Sequence, residues 1–368
     1  MGQVPCTRGQ AYWDGASIHH SISQNNYSPN RIIHGTTIYF APIHPNCYGH
    51  ALLDGVFTLY TLLRENHLED QSSTNLFLVV SQSDSQGKTF LNILQLIRDI
   101  FNFKQIIFSN EEKLHFQDLI YQNWNANGFF VSHPDSFKFI RKLCEFGFQE
   151  NIIFQDVDHK RDIVNDFVDH ILSAYHINHY DYPIIKNRVL IPLRLYNRKI
   201  LNLNELEFAL KNDVYNPAIL DMEALSIKQQ IIEVIQSEYL LGTYGSNLTN
   251  GIFLPPSGKM VVLWPRHGKY FITRNYCIIY SAVLYAGITV AEYDKPEYDQ
   301  RDEYLNPESI PFPVNWFHKE GKILVLDPNV TLNQIVQQPH PLFYHLFHVN
   351  LYVNPGDVIA TLNKCRSN

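Results

Sequence analysis

Short apolar runs of four to six residues, separated by longer stretches of helical periodicity, recur along most of this chain, and that alternation limits what it can fold into. Leu76 to Val80 is an apolar run bounded by polar residues, as suits a strand buried on both faces of a parallel sheet. Lys88 to Phe101 carries the 3.6-residue repeat of an amphipathic helix, and Gln105 to Phe108 reads as the next strand. Upstream, Thr37 to Ile43 reads as a strand, and GHALLDGVFTLYTLL, Gly49 to Leu63, as a largely buried helix. Residues before about Asn30 look irregular and polar. Further on, Gly128 to Val131 continues the alternation with a helix over Asp135 to Phe148 and another from Asp162 toward Tyr180. Strands alternating with helices predict an α/β fold with parallel order.

After the polar connection His176 to Pro183 the alternation begins again. Strands are expected at Arg188 to Leu195, Ala218 to Leu220, Leu240 to Thr243 and Met260 to Trp264. Helices are expected over Asn202 to Leu210 and Ser226 to Tyr239, with Ser226 as N-cap. A chain of 368 residues exceeds what one hydrophobic core serves. Two α/β domains in series, 1–183 and 184–340, are the simplest arrangement, with 341–368 as a closing segment.

Bulk properties remove several classes of function. A formal charge of −7 lacks the basic excess with which nucleic-acid binders neutralise phosphates. It still allows a local basic pocket for one diphosphate. No run approaches the roughly 20 apolar residues of a membrane span, and the start has no apolar leader segment. Five scattered cysteines do not make a disulfide framework, so a cytoplasmic, reducing compartment is expected, with a membrane surface as an alternative place of work. Walker and Gly-x-Ser-x-Gly patterns are absent, which leaves an NTPase or serine hydrolase without support.

The chemistry concentrates in two segments. In RLYNRKILNLNEL, Arg194 to Leu206, an apolar strand delivers Arg194 to its carboxyl end, and Arg198 comes next in the loop. Ligands of open α/β sheets bind beyond the carboxyl ends of strands. The planar guanidinium fork suits a diphosphate. Surface ion pairing is the plain alternative for both arginines. The second segment, LLGTYGSNLTNGIFLPP, runs from a strand into a small-residue turn, Gly242 to Asn247, whose backbone N–H groups can face an anion at a helix start. A plain strand-to-helix turn would look the same.

Together these segments resemble the signature of glycosyltransferase family 61, which includes plant xylosyltransferases and animal N-acetylglucosaminyltransferases. Arg194, Asn197, Arg198, Leu201 and Asn202 match its Arg-x-x-Asn-Arg-Arg-x-Leu-Asn stretch, with Lys199 in place of the last Arg. Gly245, Leu248, Thr249 and Asn250 match its His-Gly-Ala-Gly-Leu-Thr-Asn turn. Phe253, Pro255, Pro256 and Pro265 match its apolar Phe-x-Pro-Pro and a strand ending in Pro, and Gln230 sits where the family favours Gln. Three positions depart: Tyr244 replaces the family's His, Asn247 its second Gly, and Val262 a Glu.

The resemblance implies a GT-B architecture and an inverting transfer of a sugar from a nucleotide-sugar, a UDP-sugar by expectation, to a hydroxyl of a protein or glycan. It implies that Arg194, Asn197, Arg198, Tyr244, Gly245, Ser246, Asn247, Asn250 and Arg266 hold the donor, without a divalent metal or other cofactor. It also implies that the closing segment 341–368 packs back on the first domain. The family's Asn-x-x-His-x-x-x-Asp pattern has an echo in His50 and Asp54, with Asn46 one residue too far upstream. A His and a carboxylate four apart share a helix face and could activate an acceptor hydroxyl, or could be a structural pair.

Two rivals come from the same residues. Asp156-Val157-Asp158 comes after an apolar run, as the D-x-D of metal-dependent glycosyltransferases does, although carboxylates at a solvated helix start read equally well. The altered Tyr244 and Val262 suggest a non-catalytic sugar-nucleotide-binding protein on a degenerate transferase fold. His170, His176 and His179 have no Cys nearby and no metal-ligand spacing, so they read as structural.

Overall fold

The computed structural model describes residues 7–19, 29–42, 45–68, 71–81, 84–109, 113–121, 157–196, 198–264, 279, 282–284, 286–293 and 350–367. These form two compact units, one from the residues up to 121 together with Asp162–Ile177, the other from residues 157–161 together with Asn178 onward. The division falls a few residues before the expected boundary at 183.

The first unit is built on a six-stranded sheet with β1 (Thr7–Trp13), β2 (Ile18–His19), β3 (Arg31–Phe40), β4 (Asn75–Leu78), β5 (Gln105–Phe108) and β6 (Leu114–Tyr121). Its order is β2-β1-β6-β3-β4-β5. From β6 to β5 all neighbours are parallel, while β1 pairs antiparallel with both β6 and β2. Strand alternation predicts the parallel part. The edge pair β1–β2 and strand β6 are not expected from it, since β1 mixes Arg8, Gly9 and Gln10 among its few apolar residues. Tertiary pairing supplies what that pattern lacks: Ala11 and Trp13 point into a cluster with Ile33, Phe77, Ile107 and Phe116. Strand β4 is buried at all four residues, as a parallel strand covered on both faces must be.

Helix α1 (Thr58–Glu65) is preceded by a π-helix, His50–Phe57, where the sequence predicts one continuous α-helix. Helix α2 (Lys88–Ile100) buries Phe90, Ile93, Leu94, Leu96, Ile97 and Ile100, the stripe its periodicity predicts. Helix α3 (Val157–Ala174) sets Phe167 edge-on against Phe57, ring centroids 5.1 Å apart. The expected elements at Gly128 to Val131 and Asp135 to Phe148 lie outside the described residues.

The second unit holds a wholly parallel sheet of β7 (Ile185–Pro192), β8 (Asn216–Leu220), β9 (Ser237–Thr243), β10 (Lys259–Leu263) and β11 (Thr289–Tyr293), in the order β11-β10-β9-β7-β8. Helices α4 (Leu203–Asn212) and α5 (Ile227–Ile235) make the crossovers on either side of β7. Helix α5 starts with the expected cap: Ser226 Oγ accepts the Gln229 N–H, and the Gln229 side chain answers the Ser226 N–H. Strand β9 begins at Ser237, inside the expected helix. Pro192 ends β7, where the absent N–H costs the ladder little.

The closing segment differs from expectation. Its described part, residues 350–354 and helix α6 (Pro355–Ser367), belongs to the second unit, where Leu351, Val353, Val358 and Leu362 join a core with Leu206, Leu210, Val261 and Leu263. Each such buried side chain stabilises by about 1.5–3 kcal/mol. That apolar face, invisible until the sheet is assembled, places the segment in the second unit's core. No helix among the described residues is long and apolar enough to cross a membrane.

Candidate functional site

In the second sheet the chain runs outward from β7 to β8, then returns to the far side of β7 as β9. The connection reverses direction between those two strands, and the crevice beyond their carboxyl ends is where open α/β sheets bind ligands. Both chemistry-bearing segments reach that end of the sheet. Arg194 lies two residues beyond Pro192, and Gly245 two beyond Thr243.

The two arginines converge on Gly245. A Cβ placed on it would lie 2.8 Å from Arg194 Nη1 and 3.3 Å from Arg198 Nη1. Its backbone, φ +157° and ψ 175°, occupies a region that only glycine enters readily. Bare backbone and two guanidinium edges therefore share one small volume. Like charges held this close repel, and a bound polyanion relieves that repulsion.

Arg198 is held in an uncommon way. Its backbone is left-handed, φ +56°, which costs a non-glycine residue about 1 kcal/mol. Its Nη1 donates to the Tyr244 carbonyl at 3.2 Å, and its guanidinium carbon lies 5.0 Å from the Tyr244 ring centroid. The ring in turn stacks on Trp264, centroids 5.1 Å apart and planes 15° from parallel. Tyr244 is only 1% exposed. Where the family carries His, this chain has a buried aromatic platform that carries an arginine on its face.

Ser246 and Asn247 open a 3₁₀ helix, Ser246–Phe253, with Gly245 at its N-cap. Packing around this helix is close: a Cβ on Gly242 would meet Leu248 at 3.0 Å, and one on Gly251 would meet Met260 and Val283 at 3.1 Å. Ser246 and Asn247 are half-buried at the start of this helix, directly after Gly245. Asn250 is placed otherwise. It is 1% exposed, and its Nδ2 donates to Gln230 Oε1 at 3.3 Å. Two motif positions thus tie the turn to α5. Val262 is fully buried in β10, in register with Gly242, and contributes apolar packing where the family has a carboxylate. Asn197 and Arg266 lie outside the described residues, as does Asp156; Asp158 falls in the first turn of α3.

In the first unit the π-helix brings His50 and Asp54 together, with Nδ1 2.5 Å from Asp54 Oδ2. Such wide helical turns are frequent at functional sites. The Asp54 side chain is 2% exposed and that of His50 15%. The other carboxylate oxygen, Oδ1, is buried with no hydrogen-bond partner among the described residues. Asp54 thus holds the imidazole from the inside, with the histidine toward solvent. Asn46 serves elsewhere: its Oδ1 accepts the Phe90 N–H at 3.3 Å over the start of α2, against Gly87. His170 donates from Nε2 to the Ile100 carbonyl at 2.9 Å and packs on Tyr60, a structural role as expected.

Sequence reasoning passes over Trp264 and the partners of Asn202. Asn202 bonds both backbone groups of Val353: its Nδ2 donates to the carbonyl at 2.8 Å and its Oδ1 accepts the N–H at 3.1 Å. No local pattern announces a contact between residues 151 positions apart.

Compared with known families, residues 48–261 match the family model described as Glycosyltransferase 61, more than half of the chain. The match spans both the His50–Asp54 pair and the Arg194–Gly245 site. No curated protein matches the chain.

Proposed function

Because the chain belongs to glycosyltransferase family 61, and so moves a sugar from a donor to an acceptor, we propose that its donor is a nucleoside diphosphate sugar, a UDP-sugar by preference, held at the switch point of the second sheet. The observation that carries this is the convergence of Arg194 and Arg198 on the bare backbone of Gly245. A diphosphate presents several oxygens to such a cluster, each accepting charge-assisted hydrogen bonds. In the proposal Arg194, Arg198 and the Ser246 and Asn247 amides take the charge that grows on the leaving diphosphate. No divalent cation is needed for that share of the work.

The transfer is proposed as one displacement with inversion. The acceptor oxygen attacks the anomeric carbon as the bond from that carbon to the diphosphate oxygen breaks. The nucleoside diphosphate leaves with the electron pair, and the hydroxyl proton passes to the base. We assign the base to His50, the more exposed of its pair, and give Asp54 the task of holding its tautomer and orientation. The acceptor is a hydroxyl of a protein or a glycan, and the arrangement expected to join both sites in one reaction is GT-B.

A thermal-shift screen of nucleotide sugars on the whole chain, with and without a chelator, tests the donor. Stabilisation by one UDP-sugar that survives chelation is the expected outcome. Loss of the shift on chelation would move the reading to metal-dependent binding, and no shift with any nucleotide would end the donor assignment. Proton NMR of the anomeric centre during turnover then reads inversion or retention directly.

A further inference from the structure

We infer that residues 350–354 are a working part of the diphosphate site, and that Asn202 and Asn350 are positioning residues for Arg198; this rests on the proposed diphosphate donor. A left-handed arginine persists only where its surroundings over-determine the backbone. On the upstream side the Leu193 N–H donates to the Leu220 carbonyl at 2.7 Å. On the downstream side that control begins at the very next residue, Lys199, and comes from the far end of the chain.

The contacts form a short zipper. The Lys199 N–H donates to Asn350 Oδ1 at 3.0 Å. The Leu351 N–H donates to the Lys199 carbonyl, and the Leu201 N–H to the Leu351 carbonyl, both at 2.7 Å. Ile200 and Leu351 thereby make a parallel bridge. Asn202 closes the zipper on both backbone groups of Val353. Only a primary amide carries a donor and an acceptor side by side, and Asn is the shorter of the two residues that have one.

The zipper is itself anchored. Leu351 and Val353 are buried in the sheet's core, and the Asn354 N–H donates to the Tyr293 hydroxyl at 3.0 Å. Tyr215 Oη donates to Asn363 Oδ1 at 2.9 Å farther along. Remove the zipper and the backbone from Lys199 to Asn202 loses its hydrogen bonds to residues 350–353. The left-handed turn can then relax, and the guanidinium leaves the Tyr244 face. The family match supplies the arginine, and a segment beyond that match, which ends at residue 261, supplies its geometry.

The test compares Asn350→Leu with Asn350→Asp in the full chain. Leu removes the acceptor for the Lys199 N–H, and Asp keeps it. Two readouts are taken: UDP affinity by calorimetry, and hydrogen–deuterium exchange of the peptide over residues 242–248, which carries the Tyr244 carbonyl and ring that Arg198 engages. Asn350→Leu should weaken UDP binding roughly tenfold, the scale of one charge-assisted hydrogen bond, and speed exchange at 242–248. Asn350→Asp should restore both. Wild-type affinity and exchange in Asn350→Leu, or no rescue by Asp, overturns the inference. If the wild-type chain takes no UDP, the donor reading falls while the exchange data still decide the positioning. Should Asn350→Leu fail to fold, Asn202→Asp, which keeps the acceptor for Val353 and loses the donor, is read by the same outcomes.

Discussion

Arg194 Nη1 lies 2.8 Å from the point where a side chain on Gly245 would begin, so the two residues divide between them a space that holds one or the other. Gly245→Ala must therefore displace the guanidinium as well as strain a backbone that suits glycine alone, at about 1–3 kcal/mol for the strain. UDP affinity is expected to fall about tenfold or more, measured by calorimetry. An alanine variant that binds as tightly as the wild type would remove Gly245 from the site.

Arg198→Lys separates charge from shape. Lysine keeps the positive charge but not the planar fork that both donates to the Tyr244 carbonyl and lies on its ring. The substitution should weaken UDP binding by about tenfold, close to the loss from Arg198→Ala, because hydrogen bonds to charged groups contribute about 1.5–3 kcal/mol. Full retention by lysine would mean that Arg198 acts only as a point charge.

His50→Gln should lower kcat by about 10²–10⁴-fold, the usual contribution of a positioned base, with UDP affinity untouched. Asp54→Asn should also lower kcat without raising KM for the donor, since the buried carboxylate holds the imidazole and not the nucleotide. Single-turnover kinetics at saturating donor measure this. A full rate in both variants places the base elsewhere.

Acid stability at the antiparallel edge has a definite sign. The His19 hydrogen bond, then the Ala16 and Ser17 amides, hold the Asp14 carboxyl down to about 2. A depressed carboxylate stabilises the fold above its unfolded pKa, about 3.9, and that contribution disappears as pH falls through about 2. Asp14→Asn should therefore flatten the loss of stability between about pH 4 and pH 2, read from denaturant melts. An unchanged slope in the variant would show that Asp14 has no share in acid unfolding.

Much of the second unit is legible because its signals are local. Val189 to Ile191 is apolar and short, Ser226 caps α5 with Gln229 at the right distance, and both chemistry-bearing turns come directly after strands. Two things are not. Strand β1 has too few apolar residues to announce itself and gains its place by pairing with β6. Asn202 and Asn250 are matched motif positions whose side chains bond Val353 and Gln230, partners that no local pattern announces. A motif records that a residue type is required, and a buried backbone requires it as strictly as a substrate does.

The clasp between Asn202 and Val353 also orders events during synthesis. The two residues are separated by 151 positions, so at roughly 5–20 residues per second the loop bearing Arg198 waits on the order of ten to thirty seconds for its support. From the moment the glycine turn is made until then, the nascent chain carries both arginines and that turn without the Asn202–Val353 clasp. A polypeptide released before Asn350 would lack the clasp while keeping every residue of the family-matched region.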